Sequence, residues 1–353
     1  MTNPLVQLGS LGQSPWYDFI TRDLVTSGEL ARLIADDGLR GMTTNPTIFE
    51  KAIAGSELYD EDIRRLAAQG KRPAQIFEAL AVEDVRAACD LFLAVHQKSN
   101  GMDGLVSMEV SPTLAHDTAG TTAEAERLWS RIARPNVMIK IPGTQAGLPA
   151  ITHCLSLGIN VNVTLLFAVQ RYREVIDAFF AGLERRLAGG HSVLGLASVA
   201  SFFVSRVDSK VGGGAAAIAN AAVAYQTFER LFQTSRWEAL AARGAMVQRP
   251  LWASTSTKDP KLPDVYYVEA LIAPLTVNTL PPATFAAYRD HGHPEIRIRE
   301  AIEGANRVLS ELARTGVDLD QVTRTLEIEG VKSFADSFDS LLKVIEQKAA
   351  VLV

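Results

Sequence analysis

The chain places one lysine inside a short apolar run, Pro135-Asn136-Val137-Met138-Ile139-Lys140-Ile141-Pro142. Four other short runs carry polar residues in a similar setting. Asp18 ends SPWYDF (14–19), and Glu109 lies in VSMEV. Asn160, Asn162 and Thr164 alternate with Val161, Val163 and Leu165, and Ser201 and Phe203 alternate in SVASFF. An amine in apolar surroundings loses its proton more easily, because desolvation disfavours the ammonium. An ordinary lysine, with a pKa of ~10.4, holds only a trace of neutral amine at neutral pH. A lysine freed of that proton can attack a ketone and form a Schiff base, and nearby carboxylates can shuttle the protons. Lys140 with Asp18, Glu109 and Thr164 would therefore suit reversible carbon–carbon cleavage beside an iminium. Glu109 with Thr164 could hold the water that this chemistry releases.

Each residue alone has a plainer reading. A lysine near a strand end commonly extends to solvent, and Glu109 alone would be a rim carboxylate. Asn162 and Thr164 could be packed polar groups with local hydrogen bonds. The combination counts for more, because buried polar groups are costly unless they serve one another. Two further places suit an anion. Arg206 follows SVASFF, where a helix should begin, and Ser254-Thr255-Ser256-Thr257-Lys258 follows a later strand. Together they suggest a sugar phosphate.

Strand periodicity must place these groups on one face. Eight candidate strands occur, at 14–19, 39–45, 105–112, 136–143, 159–167, 194–203, 248–255 and 267–280. Patterns with apolar spacings of three and four lie between them, and Thr121-Thr122-Ala123-Glu124 has the form of a capping box. Eight strands alternating with helices predict an α/β (β/α)8 barrel, whose catalytic residues project at the C-terminal strand ends. Period two turns Lys140 inward and Ile139 and Ile141 outward. Extra helices are expected after strand two (46–102) and as a C-terminal extension from about residue 297, and the Ala-rich stretch after strand six (207–245) is expected to form one long helix. That tail is expected to pack outside the barrel. No linker-like composition divides residues 1–353, so one domain is expected.

Composition narrows the partners. The chain has 353 residues, a formal net charge of −5 and no Lys/Arg block, which argues against a nucleic-acid surface. No apolar stretch approaches ~20 residues and no signal-like leader is visible, so no membrane partner and a cytoplasmic location are expected. Cys89 and Cys154 read as buried free thiols. The pair His291 and His293 reads as a solvated surface feature, so no metal is expected.

Six segments then resemble one family. TTNPTIF (43–49), VSMEVSP (106–112), IKIPGT (139–144), INVNVTLLF (159–167), SFFVSRVD (201–208) and RPLWAST (249–255) stand in the order found in transaldolases. The resemblance covers about residues 12 to 295, and the helical tail is similar to that of the longer bacterial members. It implies a class I, Schiff-base mechanism without metal or organic cofactor. It also implies transfer of a dihydroxyacetone unit from sedoheptulose 7-phosphate to glyceraldehyde 3-phosphate in the pentose phosphate pathway, giving erythrose 4-phosphate and fructose 6-phosphate. By motif position Lys140 would form the Schiff base, Asp18 would take the C4 hydroxyl proton, and Glu109 and Thr164 would manage the water. Asn45, Asn162 and Ser201 would hold hydroxyls, Phe203 would wall the pocket, and Arg206 and Ser254 would bind phosphate. Ser256 stands where many family members have arginine, which makes Lys258 the nearest candidate cation. The partners are thus ketose and aldose phosphates, and a monomer or small homo-oligomer is expected.

Three alternatives compete with this expectation. Aldolases of the same superfamily typically carry glutamine and tyrosine where Glu109 and Phe203 stand, and they are shorter. A non-enzymatic barrel would have no need of the set Asp18, Glu109, Lys140 and Thr164. A metal-dependent lyase would need ligands that six scattered histidines do not suggest.

Overall fold

A computed structural model describes residues 3–352. Eight parallel strands close into a barrel in sequence order. They are β1 (Gln13–Asp18), β2 (Gly41–Thr43), β3 (Leu105–Glu109), β4 (Val137–Pro142), β5 (Val161–Leu166), β6 (Ser198–Phe203), β7 (Arg249–Ala253) and β8 (Thr276–Leu280). Helices cover the outer faces, which explains why β4 and β6 tolerate nearly continuous burial. Trp16 and Gly41 are register partners on β1 and β2. A Cβ at Gly41 would lie 2.5 Å from the Trp16 ring, so the buried indole requires glycine beside it.

Register places the polar residues at one height. Lys140 on β4 pairs with Glu109 on β3 and with Asn162 on β5. Pro142 pairs with Thr164, and Asp18 on β1 pairs with Thr43 on β2. β5 changes register between Val163 and Leu166, and Leu165 there has a left-handed φ of 60°. Ser254, immediately after β7, is also left-handed, with φ 56°. Such conformations cost about 1–3 kcal/mol and concentrate where loops form sites.

Three details depart from the sequence expectation. The run 267–280 is a helix, Tyr266–Ala270, followed by β8; Pro274 interrupts it and Leu275 has φ 56°. Both halves are apolar because both are buried, so hydropathy cannot separate them. The Ala-rich stretch is three helices, Ser205–Val211, Ala216–Leu231 and Ser235–Ala241, with a break at Gly212-Gly213-Gly214. Thr121-Glu124 is not a helix start, since the helix Thr118–Ile132 is capped by Asp117, which accepts from the Gly120 amide at 3.0 Å. Thr121 instead donates to the Leu114 carbonyl at 2.9 Å, and Glu124 accepts from the Ser111 amide at 3.1 Å.

The additional helices after β2 are Pro46–Ala54, Asp60–Ala68 and Pro73–Lys98. The tail forms Ile298–Arg314 and Leu319–Leu352. The first packs outside the barrel on Ala216–Leu231, as expected. The second corrects the expectation, because it contacts β5 and the helix Pro46–Ala54 and brings Phe334 to the barrel mouth. Among the described residues, no helix is long and apolar enough to cross a membrane.

Candidate active site

The C-terminal end of the barrel opens into a pocket of about 520 Å³. Its walls include Asp18, Asn45, Lys140, Thr164, Ser201 and Phe203, with Arg206, Ser254 and Lys258 toward one side. Nine of the eleven residues singled out from sequence therefore line one cavity. Glu109 and Asn162 do not line it, and each lies beside Lys140 in the barrel wall.

Lys140 is 4% exposed, and its Nζ donates to the Thr44 carbonyl at 3.1 Å. Nζ also lies 3.1 Å from Glu109 Oε2. Ile139 and Ile141 are buried. The amine thus has two polar partners from neighbouring segments, in addition to the apolar run that makes the lysine conspicuous in sequence. The Glu109–Lys140 approach is a charge contact whose angle falls short of a hydrogen bond. Among the described residues, neither Glu109 oxygen has an aligned hydrogen-bond partner, and neither does Thr164 Oγ1. Burial pushes the Glu109 carboxyl above its ordinary range; Lys140 opposes that rise and Asp18 adds to it. A carboxyl shifted in this direction accepts a proton readily from a neighbouring ammonium.

Asp18 sits across the pocket. Thr43 donates to its Oδ1 at 2.6 Å, and Thr43 and Thr279 lie 2.6 Å apart. Burial raises its carboxyl, against the lowering effects of Lys140 and Thr43. The open side of Asp18 faces the pocket rather than bulk water, which is consistent with that direction. From the pocket wall, Ser201 donates to Asn162 Oδ1 at 2.7 Å and Asn162 donates to Ser107 at 3.0 Å. This chain fixes the asparagine. Asn45 caps the helix Pro46–Ala54 by accepting from the Ile48 amide at 3.0 Å, which leaves its amide nitrogen for another partner.

The cationic side combines two kinds of group. Arg206 lies over the Phe203 ring at 5.3 Å, and burial lowers its pKa while Glu329 raises it. Ser254 Oγ is 3.2 Å from Ser205 Oγ. Lys258 is exposed and donates to Ser256 at 3.0 Å, so the serine and the cation are adjacent. Sequence reasoning missed Lys51, Thr43, Thr279 and Phe334, which also line the pocket. Thr43 stood inside a quoted motif and shares Asp18's register. Phe334 carries no comparable sequence signal, since only the path of its helix brings it here.

The chain as a whole matches a known family. The family model described as transaldolase/fructose-6-phosphate aldolase matches residues 15–345. The chain belongs to this family of enzymes. A protein named transaldolase from Acidothermus cellulolyticus is 53% identical over 98% of this chain and 96% of its own length. Another from Frankia alni is 51% identical over 99% and 98%, and one from Trichodesmium erythraeum is 45% identical over 100% and 99%. Within this family, the polar cluster at the barrel mouth is the candidate active site.

The other sequence candidates fall outside it. Cys89 and Cys154 are buried and unpaired, and burial pushes Cys154 up to about 12, which leaves little thiolate at neutral pH. His291 is exposed and bonds Asp264 at 2.9 Å. Among the described residues, no group of three or more His, Cys, Asp or Glu side chains gathers as a metal set.

Proposed function

We propose that this protein is a transaldolase that transfers a dihydroxyacetone unit between sugar phosphates through a Schiff base on Lys140. The observation carrying this reading is the buried Lys140 amine, held between Glu109 and the Thr44 carbonyl in a pocket that Asp18 also lines. The donor would be sedoheptulose 7-phosphate and the acceptor glyceraldehyde 3-phosphate, giving erythrose 4-phosphate and fructose 6-phosphate, as in the pentose phosphate pathway.

Each group has a step. Glu109 takes the Lys140 ammonium proton, and the neutral amine adds to the donor ketone. The carbinolamine loses water, which Glu109 and the unpartnered Thr164 hydroxyl hold. Asp18 then takes the C4 hydroxyl proton as the C3–C4 bond breaks, and the electron pair moves into the iminium to form an enamine. The enamine carbon adds to the acceptor aldehyde, and the steps reverse. Asn45, Asn162 and Ser201 hold the hydroxyls of the three-carbon unit, with Phe203 as a wall. Arg206 and Ser254 bind the phosphate, and Lys258 supplies a point charge rather than a bidentate fork.

Borohydride treatment in the presence of fructose 6-phosphate should leave a three-carbon adduct on Lys140, and Lys140→Met should carry none. Transfer to erythrose 4-phosphate should be lost in the same variant. A wild-type Lys140 peptide of unchanged mass, from protein that still performs transfer, would rule out the mechanism.

A further inference from the structure

The C-terminal helix Leu319–Leu352 contributes one aromatic ring to the pocket. Phe334 is 6% exposed, and its ring centre lies 5.5 Å from Lys140 Nζ. The ring is fixed from both sides. One turn earlier, a Cβ at Gly330 would lie 3.0 Å from Leu165 Cδ2, so glycine lets the helix approach β5 closely. One turn later, Thr47 donates to Ser337 at 2.8 Å and ties the helix to Pro46–Ala54. Lys210 binds Glu329, next to Gly330 on the same helix, at 2.6 Å.

Nζ also meets the Glu109 carboxylate and the Thr44 carbonyl. Phe334 places an apolar ring face over the amine. An iminium at this nitrogen is a cation, and a ring face attracts a cation that has lost its water. The same ring denies water an approach to the adjacent carbon.

We propose that Phe334 is a specificity-determining residue that directs the three-carbon Lys140 intermediate to an aldehyde rather than to water. The inference rests on the Schiff-base reading above. On the diverted path, the enamine carbon takes a proton and regenerates the iminium. Water adds to the iminium carbon, with its second proton passing to a base. The carbinolamine C–N bond then breaks, releasing dihydroxyacetone and the free Lys140 amine. No oxidant or reductant is needed.

The test compares wild type, Phe334→Ala and Phe334→Leu. Dihydroxyacetone release from fructose 6-phosphate alone is divided by the transfer rate to erythrose 4-phosphate. The ratio should rise about tenfold in Phe334→Ala and about threefold in Phe334→Leu, which keeps an apolar cover but loses the ring face. Borohydride trapping on Lys140 accompanies each measurement and shows that the variant still forms the intermediate. A ratio within about twofold of wild type in both trapped variants overturns the proposal for Phe334 and leaves the Schiff base intact. Should Phe334→Ala not fold, an unchanged ratio in trapped Phe334→Leu overturns it alone. A wild type that is never trapped overturns both readings.

Discussion

Two buried ion pairs stand at opposite ends of the barrel, and they are built differently. At the N-terminal end, Arg249 opens β7 and pairs with Asp103 at 2.9 Å. Arg249 also donates to Ser14 at 2.8 Å and to the Met102 carbonyl, and Ser14 donates to Asp103 at 2.7 Å. Every charge there has hydrogen bonds. At the C-terminal end, Lys140 meets Glu109 at a similar distance, yet among the described residues neither the carboxylate nor the Thr164 hydroxyl has an aligned hydrogen-bond partner. The first pair is satisfied by the protein itself. The second keeps its hydrogen-bonding capacity for something that enters the pocket. Both pairs are charged and shielded, so the contrast between them lies in the hydrogen bonds around each.

Substitution should separate the two pairs. Lys140→Met should lower transfer by about 10³-fold or more with little change in stability, because burial lets Glu109 take up a proton and become neutral once the ammonium is gone. Arg249→Met should do the reverse, costing about 3–5 kcal/mol of stability by stranding Asp103. Denaturant titration with parallel transfer assays reads both. A large stability loss in Lys140→Met would erase the distinction.

The phosphate side holds a smaller version of this contrast. Arg206→Gln should raise KM for the sugar phosphates about 10- to 100-fold, because its charge is partly desolvated and can make paired hydrogen bonds. Lys258→Gln should raise it only about two- to threefold, since exposed point charges are screened. Reversal of that order would move the phosphate toward the β7 loop.

The smallest effect concerns pH. A carboxyl whose pKa is raised by folding stabilises the native state while protonated and loses that contribution as pH climbs through the raised value. Glu109 therefore makes stability decline above its ordinary 4.5. Glu109→Gln should flatten the part of the stability curve that lies above Glu109's ordinary 4.5. An unchanged slope would show that Glu109 titrates normally.

Much of the barrel was legible because its determinants are local. Strand parity alone turned Lys140 and Glu109 inward, and both lie where parity predicts, as register partners. Errors arose where one local signal serves two structures. The run 267–280 is apolar as a helix and as a strand. Thr121 and Glu124 have the chemistry of a cap and spend it on Leu114 and Ser111 instead.

What the sequence by itself determined was the alternation of strands and helices and the facing of each strand's polar residues, since both follow from spacing along the chain. Its motifs also determined family membership. Tertiary structure alone decided that the lysine meets a carboxylate and a carbonyl. It likewise decided that Phe334, nearly two hundred residues away in sequence, covers that lysine. Barrel closure and the path of the C-terminal helix are long-range packing outcomes, and no spacing within a segment encodes which distant ring comes to rest over Lys140.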